Sequence, residues 1–153
     1  MKLFGAQRTT PPPERSLPGS AAPDYADAFR IPLPTEDRRD AEQLFRAGTG
    51  SAPGLGNQLV LWAHRHLLRF DLGPFSSPQH VMGWQVVAAE AGMVALQAHG
   101  PLMNGLLELR RDNQFATLST YLEYRHPAAH IVWQALGPVH RALAPRLLEN
   151  CAR

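Results

Sequence analysis

From Leu102 to His126 the chain holds two long runs of alternating apolar and polar side chains, Leu102–Arg111 and Phe115–His126, divided only by the short stretch that opens with Asp112-Asn113. Runs joined by so short a connection can pair only as antiparallel strands, and no other feature restricts the fold as strongly. From Gly137 onward a helical pattern closes the chain. A helix laid on an antiparallel sheet leaves a space between the two layers that is either packed solid or a cavity.

The same alternation marks further strands at His80–Glu90, Met93–His99 and Ala129–Leu136, punctuated by Gly92, Gly100-Pro101 and Pro127. Ahead of them, Tyr25, Phe29, Ile31 and Leu33 alternate within DYADAFRIPLP. Pro32 and Pro34 cannot donate to a ladder, which predicts an edge strand there. Thr35 is expected to cap a short helix carrying Glu36 and Asp37 in its first turn, with Ala41, Leu44 and Phe45 on one side and Gly48 as its stop. GTGSAPGLG, residues 48–56, has the glycine content of a phosphate-cradling loop. A helix rather than a strand precedes it and Pro53 interrupts it, so a plain helix–helix linker is the expectation. The helix predicted over Asn57–Phe70 is apolar almost all round, with only Gln58, Arg65 and Arg69 as a polar stripe, and is expected to be mostly buried. His64 and His66 within it point away from each other, which places them at its border and prevents them from sharing a metal ion.

At 153 residues and 44% hydrophobic, the chain has the size of one domain with a real core. Residues 1–23 carry Pro11, Pro12, Pro13, Pro18 and Pro23 among Ser, Thr, Gly and Ala, the composition of a flexible proline-rich leader, and 24–153 form the folded domain.

The formal charge of +2 is supplied by Lys2, Arg8 and Arg15 against Glu14; from Asp24 onward twelve arginines meet twelve carboxylates. A balanced domain lacks the clustered basic face that nucleic acid requires. Lys2 is the only lysine, which excludes a Walker phosphate loop, a pyridoxal Schiff base and a lysine general base within the domain. The single cysteine, Cys151, allows no intramolecular disulfide and no cysteine-based zinc site. The seven histidines fall in no metal-ligand spacing, His126 and His130 are separated by Pro127, and no G-x-S-x-G elbow is present. Neither cofactor nor metal is therefore expected. The N-terminus has no signal-peptide core and no apolar run reaches membrane-spanning length, so the expected location is the cytoplasm, without membrane insertion.

Alternation also assigns faces. The inward rows are Ala116, Leu118, Thr120, Leu122, Tyr124 and His126 on one strand; Ala129, Ile131, Trp133 and Ala135 on the next; and Met82, Trp84, Val86 and Ala88 on the first of the meander. Thr120, Tyr124 and His126 are polar points on an otherwise apolar wall, Thr120 about 13 Å from Tyr124 and Tyr124 about 7 Å from His126 along the strand. The closing helix is expected to start at Gly137-Pro138, with Val139, Leu143, Ala144, Leu147 and Cys151 as its apolar stripe and His140 inside that stripe. Pro145 should bend it. His140 is then either a core histidine satisfied by a neighbouring carbonyl or an acid–base group, whose neutral form the start of a helix favours. Tyr124 and His126 share that ambiguity, with packing and loop-edge roles as the alternative. Glu108 and Arg110 alternate with Leu107 and Leu109 and are expected to be a solvated outer-face pair.

The strand LLELR, the entry stretch DYADAFRIPLP and the finish YLEYRHPAAHIVWQALGPVHRALAPRLLENC resemble the bacterial family catalogued as domain of unknown function 2867, in the START and birch-pollen-allergen-like superfamily. The likeness covers about Asp24 to Arg153 and is densest after Leu102. Members show a histidine shortly after a proline at the start of the last helix, matched by Pro138 and His140, with Arg141 following. Their Asp-Phe-Arg triplet is here Glu108-Leu109-Arg110, and their His-Asn pair is replaced by Arg125-His126-Pro127. The resemblance implies an α+β helix-grip fold, a curved antiparallel sheet wrapped around a long C-terminal helix with two short helices after the first strand, and a ligand-binding role.

The first functional expectation is the binding of a small hydrophobic or aromatic molecule beneath the last helix. Trp84, Leu118, Thr120, Trp133 and Leu143 would supply contact, and Tyr124, His126 and His140 orientation. The second, by superfamily analogy, is a cyclase or dehydratase acting on a polyketide-like substrate, with His140, Tyr124 and His126 as its acid–base set. A ligandless interaction module using the proline-rich leader is a third. Were the strand faces shifted by one residue, Trp84 and Trp133 would instead anchor a homodimer.

Overall fold

A computed structural model of the chain describes residues 5–11, 22–50 and 55–153. Its elements run β1 (Gln7–Thr9), β2 (Tyr25–Pro32), α1 (Ala41–Thr49), α2 (Leu55–Trp62) continuing into a π-helical turn (Ala63–Leu67), β3 (Ser76–Ser77), β4 (His80–Val81), β5 (Trp84–Glu90), β6 (Met93–His99), β7 (Met103–Arg111), β8 (Phe115–Tyr124) and α3 (Ala128–Cys151). The strands form one antiparallel sheet in the order β1-β2-β8-β7-β6-β5-β4-β3. The protein is therefore α+β, an antiparallel sheet followed by a long C-terminal helix.

The expected pairing of the two long runs is present, with Leu109 opposite Leu118 and Leu107 opposite Thr120. The turn between them lies one residue later than its sequence position suggests. Asp112 N donates to Phe115 O, and Asp112 Oδ1 accepts from the backbone N–H groups of Gln114 and Phe115, so Asn113 and Gln114 occupy the bend. Asp112 closes this turn with its own carboxylate, a habit of Asp at turns.

β2 is not an edge strand. It lies between β8 and β1, and Pro32 does no harm because it is the last residue of the strand. The edge is Gln7–Thr9, which pairs with Arg30–Ala28 and belongs to the stretch expected to be a solvated leader. The polyproline run of that leader falls, apart from Pro11, outside the described residues.

α1 begins at Ala41 rather than after Thr35, because Asp40 and Gln43 form a capping box: Asp40 Oδ1 accepts from Gln43 N, and Gln43 Oε1 accepts from Asp40 N. This reciprocal pair satisfies two backbone donors at once, which a threonine cap does not. The buried face of α1 is the expected one, Ala41, Leu44 and Phe45. Gly48 does not end the helix; it lets α1 approach α3, since a Cβ there would lie 2.3 Å from Cys151 Sγ.

Two larger differences concern α2 and α3. Leu59 and Trp62 are 65% and 51% exposed, so α2 is not the buried element its composition suggests. Ala129–Leu136, read as a strand, is the first half of α3, a 24-residue helix that runs through Pro138 and Pro145. The period-two pattern there coincides with a helical one: Ala129, Trp133, Gly137, Ala144, Leu148 and Cys151 are the buried residues, at intervals of three, four and seven. His126 starts the helix, its carbonyl accepting from Ala129 N and its Nδ1 from Ala128 N.

The main core lies between sheet and helices and includes Phe29, Leu44, Phe45, Leu96, Leu109 and Leu148. A smaller cluster, Met93, Ala95, Leu106 and Tyr121, covers the opposite sheet face. On that face Glu108 is fully buried and ion-paired with Arg110, so the pair is not the solvated one expected. The bulge between Val86 and Ala88 carries Ala88 to the second cluster, while Trp84 and Val86 keep the inward face assigned to them.

The α1–α3 contact can be probed at Gly48. Helix propensity alone favours alanine there by about 1 kcal/mol, but the added methyl meets the Cys151 backbone N at 2.9 Å. Gly48→Ala is expected to destabilise by roughly 1–3 kcal/mol in denaturant titration, overpacking outweighing propensity.

Candidate functional site

Between the sheet and α3 is a cavity of about 360 Å³. Its floor is the inward row of β8, Leu118, Thr120 and Leu122, with Leu107 and Trp84 from neighbouring strands; α3 roofs it with Trp133, Leu136, His140, Leu143 and Leu147. Leu59, Val60, Ala63 and His64 close one side. Leu59 and Val139, both lining the cavity, are 65% and 50% exposed, which puts its mouth between α2 and α3. Gly105 makes room for one wall: a Cβ there would come within 2.6 Å of the Trp84 ring.

Every contact residue expected from the sequence, Trp84, Leu118, Thr120, Trp133 and Leu143, lines this cavity. Trp133 does so from a helix rather than a strand. Of the three residues expected to perform acid–base work only His140 lines it. His126 is exposed just ahead of α3, its Nδ1 accepting from Ala128 N. Tyr124 packs edge-on against His130, ring centroids 4.8 Å apart, outside the cavity lining. Tyr124 is on the inward face that the alternation assigns it, packed against the main core but away from the cavity, whereas His126 lies past the end of β8, where the alternation no longer applies.

His140 is also not near a helix start. With α3 beginning at Ala128 it sits mid-helix, where the end of the dipole has no hold on it. Its orientation comes from Asp27. The Asp27 side chain is fully buried, and its Oδ2 lies 2.8 Å from His140 Nε2. The Tyr25 hydroxyl donates to the same oxygen at 2.5 Å, and Arg141 Nη1 donates to that hydroxyl at 3.3 Å. Burial pushes the Asp27 carboxyl up, but the hydrogen bond and charge of His140 and the Tyr25 hydroxyl together outweigh it and hold the group below the ordinary carboxylate value. The carboxylate can only accept, so His140 donates through Nε2–H, and in the neutral ring Nδ1 is the basic nitrogen. Among the described residues Nδ1 has no hydrogen-bond partner. This is the geometry of an oriented imidazole beside an apolar pocket.

Neither Asp27 nor Tyr25 was singled out from the sequence, although a signal was there. Asp27 occupies an inward position in the row Tyr25, Phe29 and Ile31, where an acidic residue needs a partner. His64, expected only at a helix border, is likewise a cavity residue: its Nδ1 accepts from Trp84 Nε1 at 3.3 Å, and its ring meets Phe70 edge-on. Burial, with the nearby His140 imidazole, pushes its pKa down to about 4. Among the described residues no three His, Cys, Asp or Glu side chains are arranged to hold a metal ion, and no helix is long and apolar enough to cross a membrane. The chain matches no family model, no curated protein and no solved structure.

The two shifted groups act in adjacent pH windows. The unfolded chain protonates His64 near 6.5 and the folded chain only near 4, so stability falls as pH drops through that interval, by up to about 3 kcal/mol. The Asp27 contribution is present above its ordinary value of 3.8 and is lost as pH falls below it. Denaturant titrations across pH should show His64→Gln flattening the upper interval and Asp27→Asn the lower one.

Proposed function

We propose that this protein binds a small, largely apolar or aromatic molecule in the cavity beneath α3, as a helix-grip domain of START-like type. The observation that carries this reading is the cavity itself: about 360 Å³, walled by Trp84, Leu118, Leu122, Leu143 and Leu147, with few polar groups facing it. Ligand sites have this composition and run from about 300 to 1,000 Å³, so the volume favours a compact one- or two-ring ligand. The order of the elements, two initial strands, two helices, an antiparallel meander and a closing helix, supports the same reading, as do the residues that resemble the START-like family. The site we assign comprises Trp84, Leu118, Thr120, Trp133 and Leu143 as contact surface and His140 as the orienting polar group. The partner is a small molecule taken up from the cytoplasm.

A second reading, a cyclase- or dehydratase-type enzyme, is favoured by the Asp27–His140 contact, because a carboxylate that fixes the tautomer of an imidazole is what acid–base catalysis on a bound ligand requires. In this reading Asp27 is a positioning residue and His140 the catalytic one.

Thermal denaturation with a panel of neutral one- and two-ring aromatic compounds tests the first reading. A ligand at a hundred times its Kd stabilises the folded state by about 2.7 kcal/mol, which raises Tm by roughly 5–10 °C for a chain of this size. Leu143→Trp fills the roof of the cavity and should remove the shift while the protein stays folded. No shift with any compound, and no excess mass in native mass spectrometry of gently purified protein, would overturn ligand binding. The second reading is tested by incubating protein with a bound compound: a product mass that His140→Gln does not yield supports it, and an unaltered ligand mass opposes it.

A further inference from the structure

Among the described residues, three buried polar atoms at one corner of the cavity have no hydrogen-bond partner: Thr120 Oγ1 and Trp133 Nε1 on lining residues, and Asp27 Oδ1 behind the lining. They belong to one neighbourhood. Asp27 and Thr120 are directly opposed across β2 and β8, a position that brings Cβ atoms to about 4.5–5.5 Å. Trp133 packs edge-on against Tyr25 and at a tilt against His140, the two donors to the other oxygen of Asp27, with ring centroids 5.1 and 5.2 Å away. Thr120 and Trp133 line the cavity while remaining 3% and 7% exposed. Leaving such groups unpaired is costly, and native interiors keep few of them.

Their chemistry is complementary to a single group. A carboxylate oxygen only accepts, an indole N–H only donates, and a threonine hydroxyl does either. One hydroxyl donates one hydrogen bond and accepts two. Donation to Asp27 Oδ1 with acceptance from Trp133 Nε1–H and Thr120 Oγ–H would satisfy all three atoms. An ether or ketone offers Asp27 no proton, a carboxylate is repelled by it, and an ammonium cannot accept from the indole. The surroundings are aromatic: Tyr25, Trp133 and His140 on this side, and His64, Phe70 and Trp84 in mutual edge contact on another. We propose that this corner is a subsite for a hydroxyl carried on an aromatic ring, and that the ligand is a neutral phenol. The three atoms are sealed from solvent, so the hydroxyl seats as the Trp133 ring gives way, and the hydrogen bonds gained favour that movement. This proposal rests on the ligand-binding reading of the cavity and narrows it to one chemical class.

The test is calorimetric titration of the full chain with naphthalene, a naphthol, its methyl ether and the corresponding naphthoate. The naphthol is expected to bind about tenfold or more tightly than naphthalene and the ether, roughly the value of one well-made hydrogen bond, and the naphthoate not to bind. Thr120→Val keeps the shape of the side chain and removes one donor. It should reduce the ratio of naphthol to naphthalene affinity severalfold. Its stability provides an independent check: replacing an unpartnered hydroxyl by a methyl should leave Tm the same or higher, and a marked fall would mean that Thr120 is already paired, which overturns the subsite. Naphthalene binding with no preference for naphthol would also overturn it while sparing the cavity reading. Binding of neither compound would remove both.

Discussion

An ionised carboxylate inside a protein is tolerated only where donors surround it, and the Asp27 carboxylate determines how the last helix meets the sheet. Taking such a charge out of water costs several kcal/mol, and leaving it unpaired is strongly destabilising. Oδ2 receives the Tyr25 hydroxyl from its own strand and His140 Nε2–H from α3. α3 must therefore lie across β2 and β8 with its thirteenth residue over Asp27. Arg141, the next residue, then reaches the Tyr25 hydroxyl. The same arrangement sets the tautomer of the only histidine of α3 that lines the cavity.

Packing around this contact is uneven, and the cavity is a consequence. At one end α1 and α3 are drawn together by the small residues Gly48 and Cys151, both buried or closely approached. At the other end α2 stays further out, its Leu59 and Trp62 largely exposed, and the π-helical turn that follows carries His64 to the cavity side. A π-helical turn widens the backbone and frequently marks a functional site. The hairpin at Met82-Gly83, both at positive φ, turns Trp84 inward beneath Gly105, where no side chain blocks it. The space left between these elements is apolar because the inward rows of β5, β7 and β8 are apolar.

Much of this was legible in the residues. Period-two alternation correctly assigned Leu118, Thr120, Leu122 and Trp84 to the inward face, since it depends only on the pleat of a strand. Trp133 was assigned to the right face for a partly wrong reason: in Ala129–Leu136 a residue spaced four from Ala129 faces inward in a strand and in a helix alike, and β-branched Ile131 and Val132 favoured the strand. The capping box at Asp40 and the turn at Asp112 were visible as residue types but not as boundaries. Cap and turn positions depend on which of several competing side chains reaches a backbone N–H, which is settled by one bond rather than by a pattern.

The sequence by itself determined the local chemistry of each element: which strands alternate, which faces are apolar, that no lysine or cysteine cluster can act in the domain, and that His140 lies within the apolar stripe of the closing helix. Those properties follow from neighbours a few residues apart. Only the tertiary structure decided what His140 meets. Asp27 stands 113 residues away in the chain, Thr120 belongs to a further strand, and Trp133 lies two turns earlier on α3 itself. Their meeting depends on β2 joining the sheet beside β8 and on α3 crossing both strands. Such a juxtaposition arises from the packing of whole elements against one another, and no local periodicity carries it.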